Sequence, residues 1–442
     1  MNTDILIIGA GPAGLAAAAS AAESGLQIDI IDDNFMSGGQ IWRGGAHTQT
    51  DTRALDLWNT LNDCDNVRFH FQSKVIHACQ QEKGDAIQVT IEVQSTSERQ
   101  VGAQVFNAKK IILCTGAREL LVPFPGWTLA GVTGAGGLQA LSKAGYPVAG
   151  KRVIVAGTGP LLLAVAASLI ERDAEVTHIL EQAKFSSLSR FALGLLATPS
   201  KISQVVQLGR RLKEVIYHAD SYVMSAHARV KSEALNSTIA QVGSATVSVL
   251  GEVQELPCDL LACGYGLISN TDLAAALNCQ LDDLVGYEKV VVNEWQASTQ
   301  ENIYCAGEGT GIGGVDLALA EGRIAGYAAS AQTRKAQKYF KERKKWQSFA
   351  KRLHHSFTLR PELKQLCDAD TIVCRCEDVS YQELKKHTDW RDAKLHTRCG
   401  MGACQGRICG AANRVLFSWK RDAGRLPIYP AKIGSLISAE RK

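Results

Sequence analysis

Four cysteines near the carboxyl end, Cys374 and Cys376 in a C-x-C and Cys404 and Cys409 in a C-x4-C, have the residue types and spacing of a metal–thiolate centre. Four thiolates complete the coordination of a [2Fe-2S] rhomb, two per iron, and such a centre carries electrons singly. Zinc also accepts four cysteines, usually through knuckles such as C-x2-C or C-x4-C. The one-residue gap at Cys374 and Cys376 fits a cluster edge better, although spacing alone leaves zinc open. Cys399 is a fifth candidate thiol. It lies in TRCGMGACQGRICG, whose glycines at 400, 402, 406 and 410 allow a tight loop that turns peptide N–H groups toward sulfur.

The second chemical feature is at the other end. DILIIGAGPAGLAAAASAAESGLQIDIIDD reads as an apolar strand, a glycine turn, an alanine-rich helix and a second strand ending in acid. Gly9 makes the tight turn, Gly11 lets backbone approach a pyrophosphate, and Gly14 lets helix and strand pack closely, with Pro12 and Ala13 opening the helix. The free N–H groups and dipole of that helix favour phosphate. Asp32 stands where an acid hydrogen-bonds an adenosine ribose. Further on, GGQIWRGG at 38 to 45 offers Gly39, Gln40 and Arg43 to a ring or its phosphates, or is simply a glycine loop with one solvent-facing arginine.

A second dinucleotide-like unit follows in KRVIVAGTGPLLLAVAASLIERDAEVTHILEQ. Gly157 and Gly159 fit the fingerprint, but Leu162 holds the third glycine position and should push helix from strand. Glu181 is the ribose acid if a nucleotide binds. NAD(P), another adenine nucleotide, or a fold kept without either all remain open for this unit.

These sites need open α/β sheets to position them, and apolar runs alternating with helical patterns supply them along the chain. The 442 residues, 46% hydrophobic with 40 glycines, suffice for two or three domains. Residues 1–125 and 285–330 are expected to form one discontinuous dinucleotide-binding domain around a central domain at 126–284, and the cluster segment to occupy 365–442. Between them, 331–364 reads as a basic amphipathic linker in which Trp346, Phe349, Ala350 and Leu353 share one helix face. His354 and His355 follow; adjacent histidines cannot share a helix face.

A net charge of +4 is too small and dispersed for nucleic acid. No charge-free apolar run approaches about twenty residues, so no membrane span is expected. The N-terminal apolar run lacks a basic flank and cleavage site, which argues against a signal peptide. Thirteen cysteines with four in a metal-like set suit a reducing cytoplasm. There is no C-x-x-C, so the proximal dithiol of a disulfide reductase is missing.

Three resemblances build on these residues. The run CRCEDV with TR-x-GMG-x-CQG-x-x-C is similar to the [2Fe-2S] module of bacterioferritin-associated ferredoxin. Anaerobic glycerol-3-phosphate dehydrogenase carries the same run without a cysteine at the position of Cys399, which implies Cys374, Cys376, Cys404 and Cys409 as ligands and Cys399 as a spare or neighbouring thiol. IILCTGARE, with Thr115 and Gly116, and NIYCAGEGTGIGGVDLALAEGRIAG, with Gly307 and Glu308, resemble the segments that complete the flavin site of two-dinucleotide oxidoreductases. That resemblance implies FAD, with Glu308 in place of the commoner aspartate facing the ribityl chain. Finally, GAGGLQALSKAGYPVAGKRVIVAGTGPLLLAVAASL, GYG at 264 to 266 and the CQG module together resemble, over nearly the whole chain, the α (A) subunits of heteromeric amine dehydrogenases such as opine oxidases, D-hydroxyproline dehydrogenase and hydrogen cyanide synthase.

That resemblance implies an α/β fold with two Rossmann-like domains plus a small C-terminal [2Fe-2S] domain. It also implies an oxidoreductase acting on CH–NH or CH–NH2 donors, with no catalytic residue on this chain and the substrate oxidised on a D-amino-acid-oxidase-like, FAD-dependent β subunit. FMN at the contact between subunits is a further candidate cofactor, a quinone the candidate acceptor, and the cytoplasm or the membrane periphery the expected location. A stand-alone NAD(P)H-dependent reductase is the competing expectation.

Overall fold

The structure, a computed structural model, describes residues 1–80, 86–93, 102–229, 240–284, 287–421 and 427–440. It divides into two compact units, one of 1–118, 268–350 and 423–442, the other of 119–267 and 351–422. The first unit thus begins its return at 268; the expected boundary between 284 and 285 falls at residues outside those described. The reason is packing: Leu273, Ala274, Leu277 and Cys279 are buried in the same cluster as Leu6, Ile8, Ile111 and Ile303. The expected cluster segment, 365–442, is likewise shared between the units at 422/423, within residues outside those described.

In the first unit, strand Asn2–Ile8 lies parallel to Ile28–Ile31 on one side and to Ala103–Leu113 on the other. Val67–His70 extends the sheet beyond Ile28–Ile31, and Ile303–Cys305 pairs in parallel with the end of Ala103–Leu113. The carboxyl ends of these strands therefore share one edge, where open α/β sheets bind their ligands. The amino half of Ala103–Leu113 instead joins an antiparallel hairpin, Ser73–Gln80 with Ile87–Val93.

Helix Pro12–Ala22 is buried at nine of its positions, from Ala13 to Ala22. Its alanines are small because helix Val315–Ala329 runs against it with almost no side chain between. A Cβ at Gly322 would stand 2.2 Å from the Ala13 carbonyl oxygen, and one at Gly326 equally close to that of Ala17. Glycines four apart thus bring two backbones into contact.

The second unit repeats the plan. Its parallel sheet has the order Ile216–His218, Glu175–Glu181, Arg152–Gly157, Leu260–Gly264, Val132–Gly134. An antiparallel sheet of Ser221–Ala228, Val242–Val249 and Glu252–Pro257 accompanies it. The linker forms helices Thr333–Gln337 and Phe340–Ser356, with Trp346, Phe349 and Ala350 buried. The cysteine segment has a core of its own, in which Val373, Val379, Leu384, Trp390, Ala393, Ala412 and Trp419 surround Cys374, Cys399 and Cys409. Among the described residues no helix is long and apolar enough to cross a membrane.

Candidate functional site

The cysteine cradle is assembled from three short elements. Strand Ile372–Cys374 pairs antiparallel with Val379–Ser380, so Cys374 leaves the hairpin on the buried side and Cys376 lies in its exposed turn. Trp127 fixes that strand by donating its indole N–H to the Ile372 carbonyl at 2.5 Å, and Arg375 lies 5.0 Å over the same ring. Helix Trp390–Thr397 ends at Arg398 in a left-handed conformation and delivers Cys399. Helix Cys409–Phe417 begins at Cys409 itself.

The connecting loop must hug what lies beneath it. A Cβ at Gly400 would meet the Trp390 ring at 2.5 Å, and one at Gly402 would meet the Cys376 Cβ at 2.3 Å. The sulfurs accordingly converge. Cys374, Cys399 and Cys409 hold their Sγ atoms within 4.8 Å of one another. Cys409 also contacts Cys404, and Cys404 contacts Cys376. Peptide N–H groups of Glu377 and Gly400 point at the Cys374 sulfur, and those of Gly406 and Ile408 at Cys404. Asn413, wholly buried, donates to Cys399 at 3.5 Å. All five thiols thus face one locus, including Cys399, whose place among them its spacing does not reveal.

In the first unit the glycine turn is built as a cradle. A Cβ at Gly9 would strike the Cys114 carbonyl oxygen at 2.2 Å, and one at Gly14 the Gly9 oxygen at 1.9 Å. Gly11 is open, its nearest neighbour being Gly39 Cα at 3.9 Å from such a Cβ, so backbone there is free to meet a ligand. Gly39 brings the GGQ turn beside it, while Gln40 and Arg43 pair with each other at 2.6 Å. Asp32 accepts from the Ala10 N–H at 2.6 Å and the Asn34 N–H at 2.8 Å, which ties the strand-end acid to the turn. Thr115 donates to the Asn270 carbonyl at 2.7 Å, and Gly116, with φ +67°, has open space beside it.

Gly307 and Glu308 follow strand Ile303–Cys305, but the Glu308 carboxylate folds back to accept from the Gly313 and Gly314 N–H groups, at 3.2 and 3.0 Å, ahead of helix Val315–Ala329. Its extra methylene, relative to aspartate, gives that reach. Burial pushes its carboxyl up to about 7. Glu321, which sequence reasoning does not single out, accepts from the Gly307 N–H and the Thr310 hydroxyl, and burial raises it to about 7 as well. Its sequence signal is weak, an acid among the small and apolar residues of a helix that also carries Asp316 and Arg323.

The central unit copies the turn, and Gly159, in the place of Gly11, likewise has open space beside it. A Cβ at Gly157 would lie 1.9 Å from the Gly264 oxygen, as at Gly9, but Leu162 fills the third position and is buried in the core with Val155 and Val165. Glu181 is consumed internally, accepting from the Thr158 hydroxyl and the Gly159 and Ala183 N–H groups. Gln182 beside it bridges to the last part of the linker, donating to the Thr358 carbonyl and accepting from the Arg360 N–H at 3.0 Å.

Burial lifts Glu181 from 4.5 to about 7. A folded-state value above the unfolded one means that the protonated acid favours the fold: the contribution is full below about pH 4.5 and disappears as pH rises through about 7. Between about pH 5 and pH 8 the native protein should therefore lose about 2–3 kcal/mol through this group, and Glu181→Gln should remove that slope from a denaturation series. Parallel slopes in the two proteins would contradict it.

The doubled turn-and-sheet plan defines the class, an α/β flavoprotein oxidoreductase of the two-dinucleotide kind. The sequence profile of the pyridine nucleotide-disulphide oxidoreductases matches residues 3–332, and the chain belongs to that family. The HcnB subunit of hydrogen cyanide synthase from Pseudomonas aeruginosa is 30% identical over 97% of both chains. The A-type subunit of opine oxidase from Rhizobium meliloti is 29% identical over 98% of this chain and 87% of its own. Among solved structures, L-proline dehydrogenase from P. horikoshii superposes with a TM-score of 0.66 at 18% identity, covering 98% of this chain and 79% of that one. T. acidophilum thioredoxin reductase gives 0.54 at 18% identity, over 75% of this chain and 99% of its own. The likeness to the last is one of fold, since this chain has no C-x-x-C.

Proposed function

We propose that this chain is the electron-transfer α subunit of a heteromeric amine dehydrogenase that oxidises an opine, hydroxyproline or related amino acid. The observation that carries the proposal is the convergence of cysteine sulfurs in a segment attached to a two-dinucleotide oxidoreductase. Relatives named as subunits of opine oxidase and hydrogen cyanide synthase support a partner chain, on which the CH–NH donor would be oxidised. When bound, FAD would supply the exchange between two-electron and one-electron chemistry, and a [2Fe-2S] cluster one-electron transfer toward a quinone-type acceptor.

The residues fit both groups. The Gly9–Gly14 turn, Gly39, Asp32, Thr115, Gly116 and Gly307 would hold FAD, with the open backbone at Gly11 facing its phosphates. Cys374 with Cys409 and Cys376 with Cys404 form two thiol pairs joined by the Cys404–Cys409 contact, as two irons with two thiolates each require. The surrounding N–H groups would stabilise charge on sulfur. An NAD(P)H-dependent reductase has less support, because Leu162 fills the third-glycine position.

Anaerobic purification tests the cofactor set. Chemical analysis should find about two irons and about two acid-labile sulfides per chain, together with FAD. Zinc without labile sulfide would overturn the cluster assignment.

A further inference from the structure

The cysteine-bearing segment carries a second set of metal-type donors that electron transfer does not use. His387 precedes helix Trp390–Thr397, and Asp392 and His396 lie one turn apart on it. The Nδ1 atom of His387 is 2.9 Å from Asp392 Oδ2, and that of His396 is 3.0 Å from Oδ1 and 2.9 Å from the Asp392 carbonyl oxygen. The rings lie nearly parallel, 19° apart, with centroids 5.3 Å from each other. All three donors fall within 4.8 Å.

We propose that His387, Asp392 and His396 form a binding site for a divalent transition-metal ion of the zinc type, separate from the thiol cradle. A tetrahedral ion with bonds of about 2.0–2.1 Å spaces its donors about 3.3–3.5 Å apart, so these donors, all within 4.8 Å of one another, need both to close between the rings and to open from the carboxylate to share one ion. Two imidazoles and a carboxylate, with one position left to water, make a donor set that zinc, nickel and copper accept and that magnesium and calcium do not favour.

The frame is already set before any ion arrives. The Asp389 carboxylate caps the helix at the Asp392 N–H, 2.9 Å away, and the Thr388 N–H reaches Asp392 Oδ2 at 3.3 Å. Helical spacing then fixes Asp392 against His396. Exposure is graded: the side chains of His387, Asp392 and His396 are 14%, 33% and 66% accessible, so the ion would be held at the surface and reached from solvent. Imidazole and carboxylate bind metal only in their deprotonated forms, so the affinity of such a donor set rises with pH.

The test uses the full chain, purified anaerobically with its thiols occupied. Calorimetry with Zn2+ should show one binding step per chain. His396→Ala, at a largely exposed position, should weaken that step at least about tenfold, the loss of a direct ligand costing no less than the loss of a supporting one. Co2+ in place of zinc should give d–d absorption without thiolate-to-cobalt charge transfer, which separates this site from the cysteines. A Zn2+ step unchanged in His396→Ala, no step at all, or a thiolate charge-transfer band accounting for the bound cobalt would each overturn the proposal. Because His396→Ala leaves the cysteines untouched, the difference between the two titrations reports this site whether or not the thiols hold iron, and the paramagnetic signal of the reduced cluster should be the same with and without zinc.

Discussion

Cys404→Ser is expected to abolish the paramagnetic resonance signal of the reduced cluster while leaving bound FAD in place. Cys404 occupies the middle of the thiol chain, touching Cys376 on the exposed side and Cys409 on the buried side, with the Gly406 and Ile408 N–H groups turned toward its sulfur. A serine hydroxyl is a poor substitute because thiolate is the ligand that iron–sulfur centres prefer. Cys399→Ala is the informative companion. With Cys374, Cys376, Cys404 and Cys409 as ligands, the signal should survive there, weakened only by a small cavity beside Asn413. A full signal in Cys404→Ser together with its loss in Cys399→Ala would move the fourth ligand to Cys399, which already sits with Cys374 and Cys409.

The second large effect lies far from the cysteines. Gly322→Ala adds one carbon, yet that carbon would stand 2.2 Å from the Ala13 carbonyl oxygen and 3.0 Å from its carbonyl carbon. Neither neighbour is a flexible side-chain end, so helix Val315–Ala329 must move away from helix Pro12–Ala22. Overpacking of this kind costs about 1–3 kcal/mol and here falls at its upper end, because backbone must shift rather than a rotamer. Ala13 belongs to the dinucleotide turn, so FAD should bind more weakly too. Thermal denaturation and flavin retention on gel filtration check both consequences. Native-like stability in Gly322→Ala would show that the helices have slack that the contact distances deny.

The dinucleotide turn of the first unit is legible in its residues because each glycine answers a local steric demand, and local demands leave periodic marks. Gly9 and Gly14 are both positions where a Cβ would strike backbone. Leu162 is legible for the same reason, since a large residue at a packing glycine announces a changed helix–strand contact. What stays hidden is what depends on distant partners. The bridge from Gln182 to Thr358 and Arg360 joins residues about 180 positions apart, and no spacing encodes it. The reach of Glu308 to Gly313 and Gly314 is short in sequence, yet it depends on the length of the side chain, which the strand-end position alone does not reveal. Cys399 shows the limit of spacing arguments for ligands: position in a run does not reveal which thiols a folded loop turns inward. The return of the chain into the first unit at 268 depends on Leu273 and Leu277 finding the sheet that begins the chain.

Under the proposed function the chain would take its reducing equivalents from an amine-oxidising partner rather than from a nicotinamide. That source can be read by co-purifying the chain with its partner, adding an amine substrate anaerobically, and following the reduced-cluster signal by rapid-freeze paramagnetic resonance. The signal should appear within turnover time in the complex, while NADH or NADPH given to the isolated chain should neither produce it nor bleach the flavin. Rapid reduction of the isolated chain by NADH, with no response of the complex to amine, would show instead that the chain is a reductase in its own right.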